Sequence, residues 1–190
     1  MEAVVNSAPK KRSVGAIIAA ALMLAVVVLA AGGLEWRKHA INASVQAALA
    51  GETGAATVVY RRDLIGGNDI VFDVTSTTGD ISEVDMTRRL LKAAEALKNE
   101  DFDKVYLAYK GQEKFYFDGS YFKTLGEERE SQNPVYTIRT MPENVHNLDG
   151  SSAFQTWTGG LLGVVGQQFD DLNEFHRKWW VNDALASATS

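Results

Sequence analysis

The run Ser13–Leu34 holds no charged residue, and Val, Ile, Leu, Met, Ala and Gly fill nearly all of its 22 positions. At a rise of 1.5 Å per residue, about 20 helical residues cross a hydrocarbon layer roughly 30 Å thick. A helix also satisfies its backbone hydrogen bonds internally. Residues 13–34 are therefore expected to form one transmembrane helix, with membrane lipid as its partner. Lys10, Lys11 and Arg12 precede the run, and Arg37 and Lys38 follow it, with Trp36 at the height of an interfacial indole. The cation excess on the N-terminal side assigns residues 1–12 to a cytoplasmic tail and the bulk of the chain to the extracytoplasmic side. Val28-Leu29-Ala30 and Ala30-Ala31-Gly32 also offer small residues for signal cleavage. A signal core spans only about 7 to 15 apolar residues, so a retained anchor is the expectation.

Beyond the run, Leu34, Ile41, Val45 and Leu49 fall on one helical face, and Gly51 and Gly54 end the pattern. Residues 35–54 are expected to be an amphipathic stalk or linker. This layout resembles that of type IV pilins and pseudopilins. The processing motif of that family is absent, since Gly15 is followed by Ala16 and Ala20 stands where its glutamate would be. No function is carried over from the resemblance.

Cysteine is absent, which removes disulfides, thiolate metal sites and cysteine nucleophiles together. From residue 51 onward there are 14 Lys and Arg against 22 Asp and Glu, a net −8. A domain so charged repels a phosphate backbone, and nucleic acid is not an expected partner.

The domain is placed at 55–182, with 183–190 as a flexible tail. Thr57–Arg62 and Asp69–Thr75 read as strands joined by a glycine-containing connection, with Ile70, Phe72 and Val74 on a buried face. Asp80 or Ser82 caps a helix whose apolar stripe is Ile81, Val84, Leu90, Leu91, Ala94 and Leu97; Arg88, Arg89, Lys92, Glu95 and Lys98 form its solvated side. Lys104–Lys110 and Glu113–Phe117 form a hairpin through a type II′ turn at Gly111-Gln112. Ser120 caps a short helix carrying Tyr121, Phe122 and Leu125. Val135–Thr140, bracketed by Pro134 and Pro142, reads as an edge strand.

From Ser151 or Ser152 to about Trp180, apolar residues recur at helical spacing, predicting one long amphipathic helix. Each of its glycines costs about 1 kcal/mol in a helix interior, so Gly159, Gly163 and Gly166 are expected to permit close packing, first within the domain and otherwise against a partner helix. The fold class is α+β: an N-terminal transmembrane helix and stalk, then a small, mainly antiparallel sheet packed with two amphipathic helices.

Chemistry-bearing motifs are sparse. Asp170, Asp171, Glu174 and His176 cluster near the helix end, but no carboxylate lies three or four residues from His176, so no metal is assigned. His39, His146 and His176 lack nucleophile spacing, and Ser151 and Ser152 read as turn and cap. The glycine run lacks the lysine of a phosphate loop, and no cofactor is expected. Trp179 and Trp180, with Arg177 and Lys178, are the candidate lipid- or partner-contacting residues, since indoles and cations suit a membrane interface. The functional expectation is a single-pass, envelope-facing interaction or accessory domain with a protein partner or self-association. The alternatives are an envelope-polymer hydrolase using two of Asp73, Asp118 and Glu174, which requires them to converge, and a cytosol-facing signalling domain.

Overall fold

The computed structural model divides into two units, Met1–Arg37 and Lys38–Ser190. It describes Met23 and residues 41–63, 67–129 and 131–189, so the transmembrane expectation for 13–34 and His39 lie outside the described residues. Among the described residues no helix is long and apolar enough to cross a membrane.

The second unit is α+β and centres on a five-stranded mixed sheet. Its strands are β1 (Ala55–Arg61), β2 (Ile70–Thr77), β3 (Lys104–Tyr109), β4 (Gln112–Asp118) and β5 (His146–Asn147), in spatial order β1-β2-β3-β4-β5. Neighbours are antiparallel except β2 and β3, which run parallel with Phe72 opposite Leu107. That pairing follows from the helix α2 (Glu83–Ala96), which carries the chain back so that β3 starts beside the start of β2.

Helical residues 41–48 form α1. Ile41 and Val45, with Leu49 just beyond, are buried in the main core, so the apolar face read as a stalk is a wall of this unit. The polar side of α1 covers the edge of β1. Asn42 Oδ1 accepts from Val59 N at 3.0 Å, and Gln46 Nε2 donates to Thr57 O at 2.6 Å. Backbone groups that would otherwise template another strand are thereby occupied.

Ser82 caps α2 in a capping box with Asp85, the hydroxyl accepting from Asp85 N at 3.1 Å. The buried arc of α2 is wider than its expected stripe and includes Arg89, 2% exposed, whose Nη2 donates to Thr53 O at 2.8 Å. This corrects the solvated placement of Arg89, because the 51–54 turn closes over it. Burial lowers its pKa, opposed by Glu52 and Asp85.

The β3–β4 hairpin turns through Lys110 (φ 49°) and Gly111 (φ 78°), a two-residue turn of the type I′ kind in place of the expected type II′ at Gly111-Gln112. The Asp73 carboxylate accepts from Gly111 N at 3.0 and 3.1 Å, fixing the tip to β2. Helix α3 (Gly119–Glu128) begins directly after β4, with Asp118 rather than Ser120 at its N-cap. A methyl group at Gly126 would overlap the Ala94 carbonyl oxygen, so glycine is what lets α3 lie against α2.

Pro134–Thr140 is a helix, α4, not an edge strand. Proline at the first helical position has its φ set in advance and lacks only an N–H that the helix would leave unpaired, and Asn133 Oδ1 caps Val135 N at 3.0 Å. A 3-10 turn, Met141–Asn144, leads into β5. The expected long helix starts at Leu161, not at Ser151 or Ser152, because the chain before it is irregular and reaches φ 135° at Gly159. This helix, α5 (Leu161–His176), continues through a π turn, Arg177–Val181, into α6 (Asn182–Ala188), in place of the expected flexible tail. The alanine-rich stretch suits a helix, and Lys114 pairs with Asp183 at 2.7 Å.

One sheet face, with Val59, Ile70, Phe72, Val74, Val105, Leu107, Phe115 and Phe117, packs into a single core with residues of every helix. The opposite face is covered by its own side chains. Val71, Tyr106, Ala108 and Tyr116 are buried there, with the Arg62 guanidinium 4.2 Å above the Tyr106 ring and Lys104 Nζ 4.3 Å above Tyr116.

Candidate functional site

The four residues expected to form a lipid or partner surface separate into two groups. Trp179 is fully buried and Trp180 is 5% exposed, whereas the side chains of Arg177 and Lys178 are exposed and pair with Glu174 at 3.2 and 3.3 Å. Trp179 stacks on Phe175 with centroids 5.4 Å apart, touches Phe72 and donates from Nε1 to Ala108 O at 3.1 Å. The indoles therefore correct the surface expectation. The helix is wedged so that two adjacent positions both meet protein, and the π turn narrows the angle between successive side chains.

Around them lies the most tightly specified polar group of the core. Trp180 Nε1 donates to His176 Nδ1 at 3.0 Å, so that nitrogen is bare and the proton resides on Nε2. Nε2 in turn donates to Thr87 Oγ1 at 2.8 Å, and the Thr87 hydroxyl donates to Glu83 O at 2.9 Å. Every polar atom of this relay is satisfied only with neutral imidazole. Burial lowers the pKa of His176 to about 3. This arrangement locks the C-terminal helix to α2 and offers no open face for catalysis.

The carboxylates considered for hydrolysis do not converge. Asp73 is committed to the Gly111 amide, Glu174 to Arg177 and Lys178, and Asp118 sits at the far end of the sheet, 3.6 Å from His146 Nε2. His146 is stacked on Tyr116 at 5.1 Å. Asp171 accepts from Trp157 Nε1 at 2.6 Å, which ties the irregular 153–160 segment to α5. Among the described residues no group of three or more His, Asp or Glu is placed to hold a metal ion.

Among the described residues, the glycines expected to pack inside the domain meet no neighbour: a methyl at Gly159, Gly163 or Gly166 would find nothing within 4 Å. Close packing falls instead to Gly119 and Gly126.

The surface that stands out joins residues some fifty positions apart. Val84, Arg88 and Leu91 on α2 face Pro134, Thr137 and Ile138 on α4, with Arg129 after α3, across a groove of about 450 Å³. Val84 is 53% exposed; Val135 and Tyr136 on α4 are 56% and 52% exposed. None of the seven residues of α4 is buried. Arg88 pairs with Asp85 at 2.9 Å, and Arg129 pairs with Glu95. Reading residues 135–140 as a strand hides this groove. The Asn133-Pro134 pair is the signal for a helix start.

No family model, curated protein or solved structure matches the chain.

Proposed function

We propose that the chain is a membrane-tethered interaction domain, held by residues 13–34 on the extracytoplasmic side, that binds a protein through the α2–α4 groove. The observation that carries this reading is the groove itself: an apolar trough between two helices, lined by Val84, Leu91, Pro134 and Ile138, with Val84 half-exposed. Large apolar side chains clustered at a concave surface lose free energy to water until a partner covers them. The tether rests on the uncharged run Ser13–Leu34 and on the cations that flank it.

Two measurements on the full chain test the parts. Membrane fractionation with a compartment-sensitive reporter fused after Ser190 should give a membrane-bound, externally active fusion. A reporter active only in the cytoplasm would overturn the orientation in favour of a signalling domain. A photo-activatable benzophenone amino acid in place of Val84, which lines the groove and is 53% exposed, should give a protein adduct in intact cells, and an absence of any protein adduct would sink the binding role.

A further inference from the structure

We propose that His176, Trp180 and Thr87 form an acid-operated latch: a proton taken up by the imidazole releases Trp180 and α6 from α2, while Trp179 and the sheet stay packed. The latch is independent of the α2–α4 groove and of what binds there.

The hydrogen bonds make the first argument. Nδ1 of His176 accepts from Trp180 Nε1 at 3.0 Å, and Nε2 donates to Thr87 Oγ1 at 2.8 Å. The Thr87 hydroxyl spends its own proton on Glu83 O at 2.9 Å and can only accept from the ring. A further proton therefore has Nδ1 as its sole place, where it meets the indole N–H. Two donors then oppose each other around a ring that is 0% exposed, and the new charge has no water to solvate it.

The surroundings supply no counter-ion. From α2 the ring meets Thr87 and, one turn earlier, Glu83, whose carboxyl burial pushes up and Arg177 pulls down. From its own helix it meets the rings of Phe175, Trp179 and Trp180, while Glu174 pairs with Arg177 and Lys178 at the surface. From the sheet Phe72 lies behind Trp179. Burial, with no neighbouring charge acting on it, lowers the pKa of His176.

Uneven attachment of the C-terminal helix makes the opening local. Trp179 donates to Ala108 O at 3.1 Å and stacks on Phe175, which holds it to the sheet whatever the charge on His176. Beyond the π turn no residue of α6 is buried, and Val181 and Ala184 touch the core only in part. A groove of about 330 Å³ parts Val181, Ala184, Leu185 and Ala188 from residues 77–83, and Lys114 ties α6 to β4 through Asp183. Trp180 is thus the large apolar anchor of this end. Its release frees α6 and uncovers the Ile81 wall of that groove without opening the core behind Trp179.

Backbone hydrogen exchange on the full chain in detergent micelles tests the latch, with protection at each pH taken relative to the unstructured rate at that pH. The released imidazole titrates near 6.5 and the enclosed one at about 3, so protection over residues 180–186 should fall about tenfold between about pH 5.5 and 4.5. Protection over β3 should hold. In His176→Gln, whose amide can accept from Trp180 and donate to Thr87 without titrating, the fall should disappear. Glu83 and Asp183 are the same in both proteins, so their own response to acid drops out of the difference. If the glutamine variant melts early, His176→Asn takes its place as an uncharged replacement. Residues 180–186 unprotected already at pH 7, protection constant down to pH 4.5, a fall shared by β3, or a fall kept in the uncharged variants would each overturn the latch.

Discussion

Two segments of this chain each carry adjacent large apolar residues on a helix, and the fold treats them in opposite ways. Trp179-Trp180 in the π turn is sealed between the sheet and α2, with both indole N–H groups donating to buried acceptors. Val135-Tyr136 on α4 stands more than half in solvent, although on the other side of the same helix Ile138 packs on the core and Arg139 bonds to buried Gln168. Hydrophobicity does not separate them, since a Trp pair flanked by Arg177 and Lys178 looks more interfacial than Val-Tyr beside a proline. What separates them is the arc available for burial. The C-terminal helix lies in a trough wide enough to meet two successive positions, while α4 is attached by one side and presents the other outward.

The contrast is broken most directly at Trp179. Replacing this ring by alanine removes a large packed side chain, its hydrogen bond to Ala108 O and its packing against Phe72 and Phe175. Trp179→Ala should lower unfolding stability by about 3–5 kcal/mol, read by denaturant titration with far-UV circular dichroism. A loss under about 1 kcal/mol would mean that the ring is not part of the core.

His176 sharpens the same side through pH. The unfolded imidazole titrates near 6.5 and the folded one at about 3, so between those values the unfolded chain holds a proton that the folded chain does not. The stability contributed by neutral His176 is complete above pH 6.5 and falls as pH drops toward 3, by as much as about 1.4 kcal/mol per unit. Protonation would oppose an N–H on Nδ1 to the Trp180 indole N–H. Glu52 and Asp85, whose pKa values are lowered chiefly by hydrogen bonds to Lys92 and Ser82, also lose stability in acid, whereas burial of Glu83 acts in the opposite sense. The slope due to His176 is therefore the difference between the wild type and His176→Gln measured from about pH 4 to 7. Equal slopes for the two would place the imidazole in contact with water.

How far these features are legible before folding depends on whether their cause is local. The β3–β4 hairpin is, because two turn residues between alternating runs leave one pairing, although whether Lys110-Gly111 or Gly111-Gln112 makes the turn rests on the bulge at Leu107 and Ala108. The Ser82 cap is, since the capping box spans only the four residues from Ser82 to Asp85. The parallel pairing of β2 with β3 is not, as alternation in each strand says which face is buried and not which strand lies alongside. Pro134 permits an edge strand or a helix start, and Asn133 decides only when its side chain turns to Val135 N. The α2–α4 groove is least legible, for it exists only once α3 has brought Pro134 and Ile138 opposite Val84 and Leu91.

The smallest expected effect bears on the outward side of the comparison. In Val135→Ser with Tyr136→Ser, neither substitution leaves a cavity, and the ring partner that Tyr136 gives up among the described residues is the Arg139 guanidinium, 5.0 Å from its centre. Stability should change by no more than about 0.5–1 kcal/mol, so the thermal midpoint of the isolated chain stays close to the wild type. On the groove wall, Val84→Ser, at a position 53% exposed, should be equally mild for stability and should nonetheless lose the partner. With the benzophenone residue moved to Thr137, which lines the groove, the protein adduct should fall while the melting curve does not. A midpoint lowered as far as in Trp179→Ala would show that the chain already uses this surface to hold itself together, and the outward role of α4 would fail.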